Sequence, residues 1–546
     1  MEANTLERSK QPEPGVVSAR PDERLAVIGL AAVLVLHGVL CWLSRPPGFL
    51  VGQDDVEYAV LGQSLRHGGY NLFFRVDSPV HAQYPPGYPA ILGVWGAIFG
   101  DGFGALVLVS VLTSAALIGV TWVGVRRVAG PWLALVVATV LAVNPSLVKT
   151  GSSIASESPY ALLSMVALVL LMVENRTARI TGLAGALAIF AALTRSIGIV
   201  LVVAVAALFL IERRWKALAI FTAAAALFVG GWMLWTFLAP EQYLGMSYIA
   251  DLRASVGPRQ VSWRLFRRLW RTIQYYSGEG VPWAVGMPTL AGSVADNLAG
   301  ALVLFTGLLA GFLAFAKRWR SAAIYLLFYF VLLGIWRFRT DRFVIPAVPL
   351  LVGGIFVGWN VILHRAPVAA RRIVIGLVAV FLLVGGTLRT RPLVAEALPC
   401  RAVDGWPPPA CLPRTWQGFF EAMRYIRTTL PEDAVLLTAK SGALWQYTGR
   451  KSVSYGRALA QDTAGFMPFL KSSGVGWVLL ADLEQSESRG LLIRLEHACA
   501  SLSLEASFAP RTYLFRVTEP GESGDQGCAA LREFRDRLPP DQDRGS

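Results

Sequence analysis

The sequence predicts a polytopic α-helical membrane protein with a small extracytoplasmic α/β domain at its C-terminus. Three observations support this fold class. The 546-residue chain is 54% hydrophobic, has a mean hydropathy of +0.51 and contains only 16% charged residues, as membrane proteins do and soluble enzymes do not. Hydrophobic runs long enough to cross a bilayer recur up to about residue 390,. After that point the composition becomes that of a soluble domain.

We assign eleven membrane spans of roughly 17–23 residues, the length that crosses the hydrocarbon core. The apolar run 89–99 is too short to cross easily, so we predict a juxtamembrane or re-entrant helix there. The spans lie at about 25–44, 103–125, 131–149, 157–173, 180–195, 197–211, 217–238, 297–316, 321–336, 343–361 and 372–389.

Charge predicts the orientation of these spans. The net charge of +14 is compatible with nucleic-acid binding, but basic loops beside membrane spans explain it better,. With the N-terminus inside, every basic cluster falls in the cytoplasm, whereas a twelfth span at 89–99 would put them all outside. These clusters are Arg126-Arg127, Arg176/Arg179, Arg213-Arg214/Lys216, Lys317-Arg318/Arg320 and Arg365/Arg371-Arg372.

We predict a multi-pass protein of the inner (plasma) membrane whose chain divides into three parts. Residues 1–23 form a polar, Pro-rich cytoplasmic tail that we predict to be disordered,. Residues 24–390 form the membrane domain, whose first span is not cleaved and whose outer loops include 45–102 and 239–296. Residues 391–546 form the outer α/β domain, with strands within 431–440, 474–482 and 511–519 and helices around 415–429 and 463–473,.

Four of the five cysteines lie in that outer domain. An even number of cysteines in an oxidising compartment favours two disulfides. The simplest pairing by proximity is Cys400–Cys411 with Cys499–Cys528, although four cysteines allow three pairings.

The first outer loop carries the most informative motif. It opens with Asp54 and Asp55 just after the first span and closes on Tyr84-Pro85-Pro86-Gly87-Tyr88-Pro89. Acids beside a membrane span are costly and usually functional. The alternative for Asp55 is structural, because it can cap a helix that begins immediately after it.

This loop resembles the first extracytoplasmic loop of GT-C type glycosyltransferases that use lipid-linked sugars. Protein O-mannosyltransferases and the lipid A aminoarabinose transferase carry Asp-Glu or Asp-Asp there, followed by Pro-Pro. The resemblance is strongest over 50–100 and weaker over 150–200 and 337–350. It implies a GT-C fold and inverting transfer of a hexosyl or pentosyl group from a polyprenyl-phosphate donor to an acceptor hydroxyl on the extracytoplasmic face.

By that resemblance Asp54 is the catalytic base and Asp55 the second catalytic acid, at a position where many members have Glu. Tyr84 stands where the aminoarabinose transferase has a phosphate-contacting lysine, and its hydroxyl can still donate one hydrogen bond. Glu157, at the start of the fourth span, resembles a second acceptor-side carboxylate. Its alternative is favourable charge at a helix N-terminus, with Ser156 or Ser158 as the cap.

Positive charge also occurs on the outer side, where it should be scarce. Arg195 follows Thr194, and the outer turn after the ninth span contains Arg337, Arg339 and Arg342. The guanidinium fork suits phosphate oxygens, and Thr194-Arg195 and Arg342-Phe343-Val344-Ile345-Pro346 match family motifs. Contact with lipid headgroups is the alternative for any one of these arginines.

Residues 261–273 read as a basic amphipathic helix in the interface plane. Such a helix can cover the site, steer the anionic donor or anchor the chain. Its basic face consists of Arg264, Arg267, Arg268 and Arg271.

We predict no cofactor and no metal site. His67 and His81 lie in the first outer loop without ligand spacing, and a divalent metal, such as zinc at His81, is the alternative,. The predicted partners are the polyprenyl-phosphate sugar donor, a lipid, glycan or protein acceptor and the membrane, with no nucleic acid. The alternative function is a lipid-linked glycan transporter or flippase, but transporters carry acids in mid-span, whereas these residues cluster at outer span ends.

Overall fold

The computed structural model of the chain describes residues 21–49, 54–238, 261–288, 298–336, 338–400, 405–483, 485–519, 522 and 525–538. Most of the predicted N-terminal tail and of the predicted long outer loop, and the candidate Arg337, lie outside these residues.

Long apolar helices make up the first two thirds of the described chain. Six of the described helices are long and apolar enough to cross a membrane, and seven if the bent pair α5–α6 counts as one span. Each predicted span coincides with a helix or a bent pair, while the number of crossings stays a prediction. The helices are α1 Pro21–Leu43, α2 Asp54–Arg66, α3 Gly87–Phe99, α4 Phe103–Ala129, α5 Pro131–Ala142, α6 Pro145–Gly151, α7 Glu157–Leu170, α8 Ala178–Thr194, α9 Ile199–Ile211, α10 Trp215–Ala225, α11 Gly231–Leu238, α12 Val261–Tyr275, α13 Val281–Ala284, α14 Leu298–Arg318, α15 Arg320–Ile335, α16 Val348–Ile362 and α17 Val368–Ala397.

The third predicted span, 131–149, is not one straight helix. Helices α5 and α6 meet at an angle of 63°. Pro145 cannot continue a helix but fits its first position. The Asn144 side chain accepts hydrogen bonds from the backbone N–H groups of Ser146 and Leu147 at 3.0 and 3.1 Å and so caps α6,. The Asn-Pro pair therefore breaks the span.

Glycines allow α14 and α16 to pack with their backbones in contact. Gly307 and Gly311 lie one turn apart on α14, and Gly354 and Gly358 do so on α16. A Cβ atom on Gly311 would overlap the carbonyl of Gly354, and one on Gly358 would overlap that of Gly307. This is the close approach that small residues four apart permit in membranes.

The C-terminal part forms a five-stranded mixed sheet of order β2-β1-β3-β5-β4. Strands β1 and β2, and β1 and β3, are parallel, while β5 pairs antiparallel with β3 and β4. The strands are β1 Val435–Leu437, β2 Lys451–Ser452, β3 Trp477–Ala481, β4 Leu502–Phe508 and β5 Thr512–Val517, and the helices are α18 Arg414–Thr429, α19 Ser441–Thr448, α20 Tyr455–Ala460, α21 Thr463–Ser472, α22 Gln485–His497 and α23 Gln526–Asp536.

Both disulfides have the simplest of the three predicted pairings. Cys400 pairs with Cys411, which joins the end of the membrane part to the turn before α18. Cys499 pairs with Cys528, which joins the start of β4 to α23. The fifth cysteine, Cys41, is buried and free.

The first outer loop packs against the sheet. Ser452 of β2 donates its N–H to the carbonyl of Phe74 at 3.1 Å and accepts from the N–H of Val76 at 3.0 Å. Asp77 forms an ion pair with Arg457 at 2.5 Å. The loop and the C-terminal part also share one hydrophobic cluster, which includes Val56 and Phe419. The segment that carries Asp54 is therefore held from two sides.

Candidate active site

Two arginines and two carboxylates from distant parts of the chain form one cluster. Arg342 donates from Nη1 to Asp54 Oδ2 at 3.0 Å and from Nε to Glu157 Oε1. Arg195 Nη1 lies 3.0 Å from the same Glu157 oxygen. The Glu157 side chain is fully buried, while those of Asp54 and Arg342 are 31% and 43% exposed. The Glu157 end of the cluster is therefore buried, and its Asp54–Arg342 end is accessible to solvent.

Ends of helices place each member of this cluster. Asp54 and Glu157 are the first residues of α2 and α7, and Arg195 directly follows α8. Arg342 lies in a short 3-10 turn, Asp341–Phe343. Thr340 caps the N-terminus of this turn, because its side chain accepts a hydrogen bond from the Arg342 N–H at 3.3 Å. Carboxylates at helix N-termini also gain from the helix dipole.

The Tyr-Pro-Pro motif delivers a hydroxyl to Asp54. Tyr84 donates its O–H to Asp54 Oδ1 at 2.6 Å, across 30 positions of sequence. Burial raises the pKa of this phenol, and the nearby carboxylates of Glu57 and Asp54 raise it further, so the hydroxyl remains a donor. Gly87 lets the motif pack against the end of α8, because a Cβ there would meet the Leu193 backbone at 2.7 Å. The hydrogen bond that the Tyr84 hydroxyl was expected to donate therefore goes to Asp54.

Ser156 and Tyr58 support Arg195. Arg195 donates from Nη1 to Ser156 Oγ at 2.9 Å, and the Tyr58 hydroxyl lies 3.1 Å from the same oxygen. Ser156 precedes α7 but makes no capping bond with its side chain. The alternative in which it caps this helix is therefore not what the structure contains.

Asp55 has other described neighbours than Asp54. The helix begins at Asp54, not just after Asp55 as predicted, so Asp55 lies within the first turn. Its Oδ1 accepts from the Val56 N–H at 2.9 Å, and it raises the pKa of the buried Tyr447 hydroxyl further than burial alone does. The two adjacent acids therefore have different described surroundings, since Asp54 contacts Arg342 and Tyr84 and Asp55 lies near Tyr447.

The remaining basic candidates lie apart from the cluster. Arg339 is exposed on the same outer turn, and among the described residues it has no ion-pair partner. The predicted amphipathic helix is present as α12, and its Leu269 lies against Gly334 of α15. Arg267 and Arg271 are exposed, and the side chains of Arg264 and Arg268 lie outside the described residues.

The sequence analysis missed a buried acid beside Asp54. Glu57 is 7% exposed and lies 3.6 Å from Arg75 Nη2. Burial raises its pKa from 4.5 to about 7, an effect that Arg75 opposes and Asp54 reinforces. Its position three residues after Asp54 on one helix was a readable signal, because residues three apart share a face.

His81 is a structural neighbour of Tyr84. Its Nε2 accepts the Tyr84 N–H at 2.9 Å, and the two rings stack at 5.0 Å. Burial lowers its pKa to about 3, so the ring is neutral and Nδ1 carries the proton,. Among the described residues no three His, Cys, Asp or Glu side chains group as metal ligands would, so the cofactor prediction rests on the sequence.

An apolar groove, which we call the donor groove, opens beside the cluster. It contains about 1250 Å³ of space, part of it open to solvent. Arg195 and Tyr84 lie at its polar end. Its apolar walls come from α9, the α10–α11 segment, the end of α15 and the turn Asp341–Phe343. They include Ile199, Val229, Trp232, Met233, Leu333 and Phe343.

Comparison with known proteins shows what the chain is similar to. The sequence model of the dolichyl-phosphate-mannose-protein mannosyltransferase family matches residues 83–235, which include Tyr84, Glu157 and Arg195. ArnT from Cupriavidus metallidurans bound to undecaprenyl phosphate is 16% identical, with a TM-score of 0.55 over 90% of this chain and 98% of that one. The archaeal oligosaccharyltransferase AglB from Archaeoglobus fulgidus, in complex with an inhibitory peptide and a dolichol-phosphate, is 12% identical, with a TM-score of 0.57 over 94% of this chain and 78% of that one. A comparison with curated proteins gave no match.

The predicted resemblance to GT-C type glycosyltransferases is therefore confirmed. The solved structures establish the fold over nine tenths of the chain. The mannosyltransferase-family similarity, at the level of sequence, covers the segment from the end of the first outer loop to α11.

Proposed function

We propose that this protein is a membrane glycosyltransferase that moves a hexosyl or pentosyl group from a polyprenyl-phosphate donor to an acceptor hydroxyl. The single observation that carries the proposal is the Asp54–Arg342–Glu157–Arg195 cluster at the polar end of the donor groove. Transfer from a lipid phosphate needs a base, positive charge and an apolar slot in one place. These three elements meet here.

Asp54 is the base in this proposal. The acceptor hydroxyl attacks the anomeric carbon and transfers its proton to Asp54 as the new C–O bond forms. The bond from that carbon to the phosphate oxygen breaks on the opposite face, so configuration inverts. Although Tyr84 and Arg342 each occupy one Asp54 oxygen, a carboxylate has about four lone-pair sites, and lone pairs remain for the acceptor proton,.

Arg195 and Arg342 hold the leaving phosphate. Its negative charge grows as the sugar–phosphate bond breaks, so arginines fixed beside it stabilise the transition state more than the ground state. Arg195 lines the groove itself. Glu157 connects Arg195 to Arg342, and Arg342 contacts the base Asp54. The donor phosphate must compete with Asp54 for Arg342, which couples donor binding to release of one Asp54 oxygen.

Glu157 acts by holding the two arginines rather than by contacting the acceptor. It is fully buried, and Oε1 contacts both guanidinium groups. Without this counter-charge the two guanidinium groups, of which that of Arg195 is largely buried, would repel each other,. We retain Asp55 as a catalytic candidate and Arg339 as a candidate ligand of the donor, as the resemblance implies.

The donor groove accommodates the polyprenyl chain in this proposal. Its walls are mostly apolar, as a slot for a membrane lipid requires,. ArnT and AglB, which share this fold, are described with undecaprenyl phosphate and dolichol-phosphate. We further propose that the active site and the C-terminal domain face outward from the plasma membrane and that the N-terminus is cytoplasmic.

Purified protein supplied with radiolabelled polyprenyl-phosphate sugars and membrane extract tests this function. We expect label from at least one donor to move into a lipid, glycan or protein product. Glu157→Gln is expected to impair this transfer, while Arg320→Ala, an exposed arginine far from the cluster, serves as the matched control. A protein that binds every donor in the panel but transfers none of them, while it moves them between leaflets of vesicles, would be a flippase instead.

A further inference from the structure

A second groove runs along α8 toward the end of that helix that lies away from Arg195. It runs between α8, α9 and α10 and contains about 1910 Å³ of space, part of it open to solvent. Helix α8 has 17 residues and is therefore about 25 Å long,. The groove extends along α8 from Ala178 to Leu193, and Arg195 directly follows the helix, so only the Ala178 end of the groove lies on the side of the membrane domain opposite the candidate active site.

Three cations lie at the Ala178 end of this second groove, which we call its mouth. Arg213, Arg214 and Lys216 all line it. Arg214 is neutralised by Glu212 at 3.3 Å, and Glu212 also pairs with Arg176. Arg213 and Lys216 have no ion-pair partner among the residues that the structure describes, so two positive charges face the mouth.

Small residues form the floor of the groove. Ala178, Gly182 and Ala186 lie along one face of α8, and a Cβ added to Gly182 would meet no atom within 4 Å. The rings of Phe209 on α9 and Phe221 on α10 pack edge to face with their centroids 5.8 Å apart, and both line the groove. An apolar groove with cations at one end is complementary to a lipid with a negative headgroup.

We propose that this second groove binds an anionic phospholipid from the leaflet opposite the candidate active site. The headgroup phosphate lies at Arg213 and Lys216, and an acyl chain lies along the floor formed by Gly182. Basic pockets between membrane helices bind such headgroups. Basic loops alone do not make such a site, since Lys317 and Arg320 are equally exposed but line neither this groove nor the donor groove.

Native mass spectrometry of the purified protein, with phosphatidylglycerol or phosphatidylcholine added, tests this site. We expect wild type to retain phosphatidylglycerol in preference to phosphatidylcholine. The double variant R213A/K216A should bind phosphatidylglycerol about tenfold more weakly or worse. Gly182→Leu fills the floor without changing charge and should weaken it too, while K317A/R320A should match wild type.

Several outcomes would overturn the proposal. They are equal retention of the two phospholipids by wild type, unchanged phosphatidylglycerol binding in R213A/K216A, and unchanged binding in Gly182→Leu, which would reduce the effect to surface charge. Displacement of phosphatidylglycerol by equimolar polyprenyl phosphate would assign the groove to the donor lipid instead. Elution as a single species in gel filtration establishes that each variant is folded.

Discussion

Arg342 Nη1 lies 3.0 Å from Asp54 Oδ2, although the two residues are 288 positions apart in the chain. The contact joins the start of α2 to the turn between α15 and α16. Glu157 extends it to Arg195 and the donor groove. The candidate base and the candidate phosphate ligands are therefore one ionic unit, and a change at one member is felt by the others.

Arg195→Ala and Arg342→Ala are each expected to lower kcat/KM for sugar transfer by about 10²–10³-fold, as loss of one transition-state donor does. Lysine keeps the charge but loses the planar fork, so Arg→Lys should impair transfer less than Arg→Ala but measurably. Steady-state transfer assays with a labelled donor measure both series. Normal donor binding and turnover in both alanine variants would make these arginines lipid-headgroup anchors.

Asp77 and Arg457 join the first outer loop to the C-terminal part, so reversing one charge should disturb the loop that carries Asp54. Both side chains are about a third exposed, and such a pair is worth at most about 1 kcal/mol, so we expect a loss of activity of about fivefold or less. The exchange D77R/R457D should restore activity. Additive effects of the two reversals in a double-mutant cycle would show that the pair does not position the loop.

The raised pKa of Glu57 predicts that the free energy of unfolding depends on pH. Burial raises its pKa to about 7, so the folded state binds the proton more tightly than the unfolded chain, whose Glu has a pKa of 4.5. This stabilisation is complete below about pH 4.5 and is lost as the pH rises through 7, by at most ~1.4 kcal/mol per pH unit. Glu57→Gln mimics the neutral form. Thermal unfolding between pH 5 and 8.5 should therefore show a steeper decline for wild type, and parallel curves would refute the assignment.

The predicted orientation places the two ends of the chain on opposite sides of the membrane. A reporter fused after Ser546 should be active only outside the cell, and one at the N-terminus only inside. A reporter that requires oxidation suits the C-terminus, where the two disulfides lie,. Finding both ends on one side would mean that α3 or another short helix crosses the membrane as well.

The sequence predicted the helices well because each span is a continuous apolar run. It predicted Asp54, Arg195 and Arg342 as separate candidates from charge where charge is scarce, and Tyr84 from its place in the Tyr-Pro-Pro motif. It could not predict that Glu157 contacts both arginines, since that depends on how α7, α8 and the turn at Asp341 pack. Strand β2 was missed because it has two residues, and β4 because its apolar alternation is interrupted by a bulge between Leu504 and Ala506.

Turnover of a labelled polyprenyl-phosphate sugar by Asp54→Asn tests the central claim most directly. Asparagine keeps the size of the side chain and its contact with Tyr84 or Arg342 but cannot take the acceptor proton. We expect the variant to bind donor at least as tightly as wild type, because a neutral amide competes less than a carboxylate for Arg342, and to transfer sugar about 10²–10⁴-fold more slowly. Retention of more than about a tenth of wild-type turnover would contradict the assignment of Asp54 as the base.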